Sequence, residues 1–277
     1  MIIGTLLKIE AIKTGKRLAF IISWISMAFL ATTIFYEPYA ITKRVRGNSS
    51  FSFPDAWGIL LSEEMMIPMF FGCIAIIIVT TAEFSSRTAR QNVIDGLSKE
   101  QFFLSKTLLA FLICLLFAGT YLAIGASFAA AVTDFSAIDG PFLPRKSATM
   151  LLGLLGTFLG WGAVALFVSL GVRNSGSAMG VWIMYISFIE KFIGFSISNL
   201  GGWTDGVVKF LPMRTFNRAS NIIEHDPDEY AKAVELASSL DMTPPEIWGF
   251  PTMLTAWSLW MVVLIGGSYM WFKKRDL

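Results

Sequence analysis

Six stretches of this 277-residue chain are apolar and almost free of charge over lengths close to one bilayer crossing: about 18–35, 65–82, 104–133, 147–172, 175–190 and 252–272. A helix of about 20 residues covers the ~30 Å hydrocarbon core. Inside lipid every backbone N–H and C=O must find a partner within the protein, which leaves helices and closed barrels as the only spanning structures. The runs are continuous and do not alternate in polarity, so a barrel is excluded. The expected fold is therefore an all-α polytopic membrane protein, with six transmembrane helices in a single transmembrane domain over 1–277. Charged residues make up 15% of the chain, against about 25% in soluble domains, as such a fold requires.

The polar stretches between the runs divide the chain. Residues 1–17 carry Lys8, Lys13, Lys16 and Arg17 beside Ile2, Ile3, Leu6, Leu7 and Ile9. The apolar residues lie on one helical arc, but Glu10, Lys13 and Arg17 fall on that same arc. An interfacial helix whose long basic side chains reach water is the expectation. A signal peptide is the competing reading of 18–35. Its apolar region is normally shorter and followed by small residues, whereas Phe35-Tyr36-Glu37-Pro38 follows here, and Glu37–Glu64 reads as a loop. Gly156 with Gly160, and Gly176 with Gly180, are spaced for close helix packing. Cys73 and Cys114 lie inside apolar runs, with neither zinc spacing nor a disulfide framework.

The insert 83–106, EFSSRTARQNVIDGLSKEQFFLSK, is the most sharply punctuated polar segment. Gly96 after Asp95 suits the left-handed end of a helix. Ser98 and Gln101 then have capping-box spacing, with Leu97 and Phe102 at the two staple positions. These signals predict a short surface helix over 86–95, a corner at Gly96–Gln101, and a second helix that starts at Lys99 and runs into the third span.

Glu83, Arg87-Thr88, the Leu97-Ser98 turn and Lys106 at the head of the next apolar run resemble the first cytoplasmic loop of the type-2 ATP-binding-cassette (ABC) exporter permeases. The family commonly has a Gly before the Thr and an Arg after the Ser, where this chain has Arg87 and Lys99. The tail after the last span, Phe272-Lys273-Lys274-Arg275-Asp276-Leu277, is similar to that family's short basic tail. The resemblance covers the whole chain through its layout: a basic surface N-terminus, six spans, a loop between the second and third, a long outer segment over 191–250, and the tail. It implies a permease subunit that pairs with a second permease copy or a homologous permease on two ABC ATPase subunits. ATP and Mg then belong to the partner, and the chain itself holds no cofactor and is no enzyme. The loop 83–103 would carry a coupling helix, with Glu83, Arg87, Thr88, Arg90, Asp95, Gly96, Ser98 and Gln101 as its coupling residues. The substrate would move outward, with an extracytoplasmic accessory protein as a further conceivable partner.

Glu190-Lys191 interrupts the fifth run, and the 13 residues after it, 192–204, are too few to span. Two readings stay open: an ionisable pair on a pathway inside the membrane, or a span that ends at the headgroups, with a re-entrant or interfacial segment beyond it. In the outer segment Asp226-Pro227-Asp228-Glu229 has the form of a strong helix start, with the helix running to about Leu240. Thr243-Pro244-Pro245-Glu246 has the same form. His225 is the single histidine and reads as a loop residue. Trp248 and Trp271 bracket the sixth run at positions suited to interfacial belts.

Charge sets the expected orientation. With both termini cytoplasmic, the inner side carries 12 Lys and Arg against 5 Asp and Glu, and the outer loops carry 9 against 14. The positive-inside rule favours that arrangement in a cell (inner) membrane. A net charge of +2 gives no footprint for nucleic acid. The chain has no phosphate-binding loop, no HExxH, no CxxC and no nucleophile elbow. Ionisable residues are sparse within the runs, which argues against a membrane enzyme. Two alternatives share the six-span layout: an ABC complex that moves an extracytoplasmic partner mechanically, and a stand-alone channel.

Overall fold

The computed structural model describes residues 2–44, 51–61, 65–85, 97–138, 140–199, 204–218, 227–240, 242, 244 and 247–274. Among them it is helical, without strands. Six helices are long and apolar enough to cross a membrane, so the chain is an all-α polytopic membrane protein.

A helix outside the six, α1 (Ile2–Gly15), precedes the first span, α2 (Leu18–Arg44). The short α3 (Ala56–Leu60) leads to the second span, α4 (Met66–Ser85). The third and fourth spans are α5 (Lys99–Val132) and α6 (Arg145–Val172). The fifth is one continuous helix made of α7 (Ser175–Met184), a π-helical turn Tyr185–Ile189, and α8 (Glu190–Ser198). Two short helices, α9 (Thr204–Lys209) and α10 (Pro212–Arg218), come next. α11 (Pro227–Ser239) and the sixth span α12 (Phe250–Lys274) complete the chain.

The centre of the bundle is α4, α5 and α6, which pack on one another; α2 lies against α4 and α5, and α12 against α6. Glycine permits the closest approaches. A Cβ on Gly125 of α5 would stand 2.3 Å from Leu60 and 2.7 Å from the Phe35 ring, and one on Gly162 of α6 would stand 2.5 Å from the Cys114 sulfur. The thiols of Cys73 and Cys114 are buried and donate to the carbonyls of Trp161 and Phe158. At the end away from the 86–96 insert, residues 51–61 fold back over the end of α5. The Phe53 N–H donates to Thr133 Oγ1 at 2.9 Å, and Trp57 Nε1 donates to the Phe142 carbonyl at 2.9 Å.

Two expectations change. The first span does not stop at Phe35; α2 continues through Pro38 to Arg44. Proline removes one helical hydrogen bond and can be absorbed in a helix that is otherwise packed. At 1.5 Å per residue α2 is roughly 40 Å long, so its last charged turns extend past a ~30 Å core. Likewise the fifth span does not end at Glu190 but continues to Ser198. The residues after it then fold back. α10 packs on α6 and α12, where the Phe216 carbonyl accepts from Thr157 Oγ1 at 2.7 Å and Asn217 Oδ1 from Trp161 Nε1 at 3.0 Å. Thr157 lies mid-way along α6, so α10 is a re-entrant helix.

The glycine pairs divide by role. Gly160 makes room for α10, since a Cβ there would stand 2.5 Å from the Phe216 ring; Gly180 has nothing within 4 Å. The helix expected after Asp226 is observed from Pro227. His225 lies outside the described residues, as does most of the stretch expected to form a helix at Thr243–Glu246.

Candidate functional site: an ionic junction beneath the insert

The insert leaves α4 after Ser85 and rejoins the described chain at Leu97. Glu83 is in the last turn of α4. Lys106 is in the second turn of α5. Glu10 and Lys13 are on α1. The structure brings these four together. Lys106 Nζ is 2.6 Å from Glu10 Oε2 and 2.9 Å from Glu83 Oε1, and Lys13 Nζ is 3.7 Å from the same Glu83 oxygen. Lys106 and Glu83 are 1% and 2% exposed and Glu10 is 5% exposed, so the pairs are enclosed by protein. Lys106 Nζ also lies 5.3 Å above the Phe102 ring, one helical turn earlier.

Each helix has a local reason to present its charge there. The start of α5 is fixed by the capping box that the sequence predicts. Ser98 Oγ accepts from the Gln101 N–H at 3.1 Å, while the Ser98 N–H donates to Gln101 Oε1 at 3.0 Å. That start sets the rotation of α5, and with it the direction of Lys106, whose turn also buries Phe102, Phe103 and Ser105. Leu97 and Phe102, at the staple positions, both pack into the core. On α1 the inward face carries Glu10 and Thr14, one turn apart, while Ile9 and Ile12 are exposed. Two of the residues that break the apolar arc, Glu10 and Lys13, are thus ones that contact the bundle. Tyr269 of α12 reaches the corner from the other side, donating to Glu100 at 3.3 Å.

Lys106 leaves water together with the carboxylates of Glu10 and Glu83, and the half-exposed Lys13 balances the second carboxylate from the rim. A buried pair of this kind adds little net stability over apolar residues, but losing one partner strands a charge. The junction therefore acts as a clamp of fixed geometry. It joins the two helices from which the insert hangs and fastens α1 to both. Of the residues expected to serve coupling, Glu83 is a member of this junction, and Ser98 and Gln101 form the cap that starts α5. Arg87, Thr88, Arg90, Asp95, Gly96 and the helix expected over 86–95 lie outside the described residues. Glu10 and Lys106 are the members whose mutual contact sequence reasoning misses. The available signal is a lysine inside an apolar run, which needs an acidic partner, and an acid on the apolar arc of α1 that can supply it.

Glu190 occupies a different place. It is 4% exposed and accepts from the Tyr185 hydroxyl and from the N–H groups of Met213 at 2.9 Å and Arg214 at 3.2 Å. Those amides open α10, so Glu190 caps the re-entrant helix across space. It lies about 22 Å along its helix from Ser175, at 1.5 Å per residue, within the depth of a ~30 Å hydrocarbon core. Lys191 points outward and is exposed. The pair is split between a buried cap and a surface charge. The π-turn at Tyr185–Ile189 adds a residue to the helix immediately before Glu190.

Among the described residues no group of three or more His, Cys, Asp and Glu is placed to hold a metal ion. No protein-family model and no curated protein matches the chain.

Proposed function

We propose that this chain is the membrane-spanning permease subunit of an ABC exporter, set in a cell (inner) membrane with both termini and the 86–96 insert in the cytoplasm. The observation that carries the reading is the buried Glu10–Lys106–Glu83 junction directly beneath the insert. A surface loop without a mechanical role needs no such clamp. A loop pushed by a partner needs its two stalks to move as one body. Here Lys106 ties the end of α4 to the start of α5 and draws in α1, and α4 in turn packs on α2 and α6. Force applied at the insert then reaches four spans without a hinge between the stalks. The basic inner side supports the orientation.

In this reading ATP and Mg are bound by two copies of a separate ABC ATPase, which docks on the insert through Arg87 and Arg90. A second permease, identical or homologous, completes the complex, and the substrate leaves outward. The test is a pull-down of the tagged full-length chain from its native membranes in mild detergent. Recovery of a soluble protein with a phosphate-binding loop is expected. Reversing the charges of Arg87 and Arg90 together should reduce that recovery by about tenfold or more, the effect of losing ~1.4 kcal/mol of binding. Recovery of the chain alone, or a partner held equally well by the doubly reversed chain, would overturn the reading.

A further inference from the structure

Arg173 is the one described non-glycine residue with positive φ, at 59°, and it closes α6 in the left-handed conformation. That conformation is disfavoured for a residue with a Cβ, and glycine or asparagine is the usual occupant of such a cap. A backbone outlier of this kind points toward what the side chain does. Here the guanidinium lies 5.0 Å over the Phe84 ring and 6.0 Å from the Phe272 ring. Phe84 directly follows Glu83 and precedes the last residue of α4. Phe272 is in the last turn of α12, and its ring stacks on Phe102 of α5 at 5.4 Å. The turn itself is short and closed on both sides, since the Arg173 N–H donates to the Ser169 carbonyl and Asn174 Oδ1 accepts from the Ser177 N–H at 3.0 Å.

α7 and α8 form one of the least enclosed of the six spans, and its helix meets the ionic junction at no residue. At the insert end, the α6–α7 turn bears on the neighbouring helices through Arg173. We propose that Arg173 is a positioning residue that fastens the α6–α7 turn to the root of the insert at Phe84 and to the end of α12 at Phe272. Displacement of the insert then reaches the fourth, fifth and sixth spans together. This rests on the coupling reading above and adds a second route to it. The first route runs through charge to α1, α4 and α5. The second runs through a planar cation set against two rings to α6 and α7, with α12 joined to the same ring pair through the edge contact of Phe272 with Phe84 at 6.5 Å. A lysine keeps the charge but not the plane, so it does not replace the contact.

The experiment uses the complex purified with its ATPase. A single reporter cysteine is introduced by Phe195→Cys on α8, a position 67% exposed; the native thiols are buried and need no replacement. With an environment-sensitive fluorophore on the reporter, ATP with orthovanadate should change its emission in the otherwise unaltered protein. Arg173→Gly removes the side chain and relieves the backbone. It should lower that change by about fivefold or more, the low end of a typical coupling between sites. The ATPase should remain bound and the melting temperature should not fall. Phe272→Leu, which leaves Arg173 in place, should act in the same direction.

A full emission change in Arg173→Gly would overturn the proposal. So would a loss in Arg173→Gly that appears only with dissociation or a lowered melting temperature, while Phe272→Leu responds in full. That outcome would make the residue merely structural. Failure of the unaltered chain to bring an ATPase would instead strike the functional reading itself, and the proposal with it.

Discussion

Lys106 is the residue through which the junction at the insert end is joined. Its ammonium has no exposed surface and two carboxylates within 2.9 Å. Lys106→Met keeps the shape of the stem and leaves Glu10 and Glu83 facing each other out of water. The expected cost is about 3–5 kcal/mol, as for other broken buried pairs, read as a lowered thermal unfolding midpoint of the detergent-purified chain. The triple variant E10Q/E83Q/K106M removes the stranded charges and should recover most of the loss. A single Lys106→Met variant as stable as the unaltered chain would show that the junction is not a clamp. At this scale the sequence was half legible. It singled out Glu83 and Lys106 as the ends of the insert, but it gave Glu10 only as a flaw in an amphipathic arc. Whether an acid on such an arc snorkels to water or enters the protein depends on what lies beneath it, and no local pattern contains that.

Among the elements, those governed by local rules were readable and those held by distant partners were not. The start of α5 followed from Ser98 and Gln101 because a capping box closes within four residues. The start of α10 depends on Glu190, more than 20 residues earlier, whose carboxylate takes the Met213 and Arg214 amides. Sequence reasoning left Glu190-Lys191 open between an ionisable pair on a pathway and a span that ends at the headgroups. Adjacent residues on a helix face different ways, and the structure buries one and exposes the other. Glu190→Ala should free those two amides at membrane depth, at a cost of about 1–3 kcal/mol for each unsatisfied group. Hydrogen–deuterium exchange over 212–218 should rise sharply, with the six spans still protected. Unchanged exchange there would mean that packing of Phe216 on Gly160 holds α10 without the cap.

For the molecule as a whole, the placement of small residues decides how closely the helices approach. A Cβ on Gly125 would collide with Leu60 and the Phe35 ring, and one on Gly160 with the Phe216 ring, whereas Gly119 and Gly180 face open space. Alanine at Gly125 or Gly160 should therefore cost about 1–3 kcal/mol by overpacking. Alanine at Gly119 or Gly180 should leave the unfolding midpoint near its starting value. Equal effects at all four would mean that the helices pack differently. The sequence by itself determined the class, the number of spans and most of their limits, because the bilayer imposes a length and an apolar composition that a single run must satisfy alone. It also determined the capping box that starts α5, whose hydrogen bonds close locally. Only the tertiary structure decided which charges leave water together, that Glu190 caps a re-entrant helix, and that Arg173 sits against two rings from other spans. Each of those depends on which faces of separate helices meet, and that is settled by packing among all six spans at once.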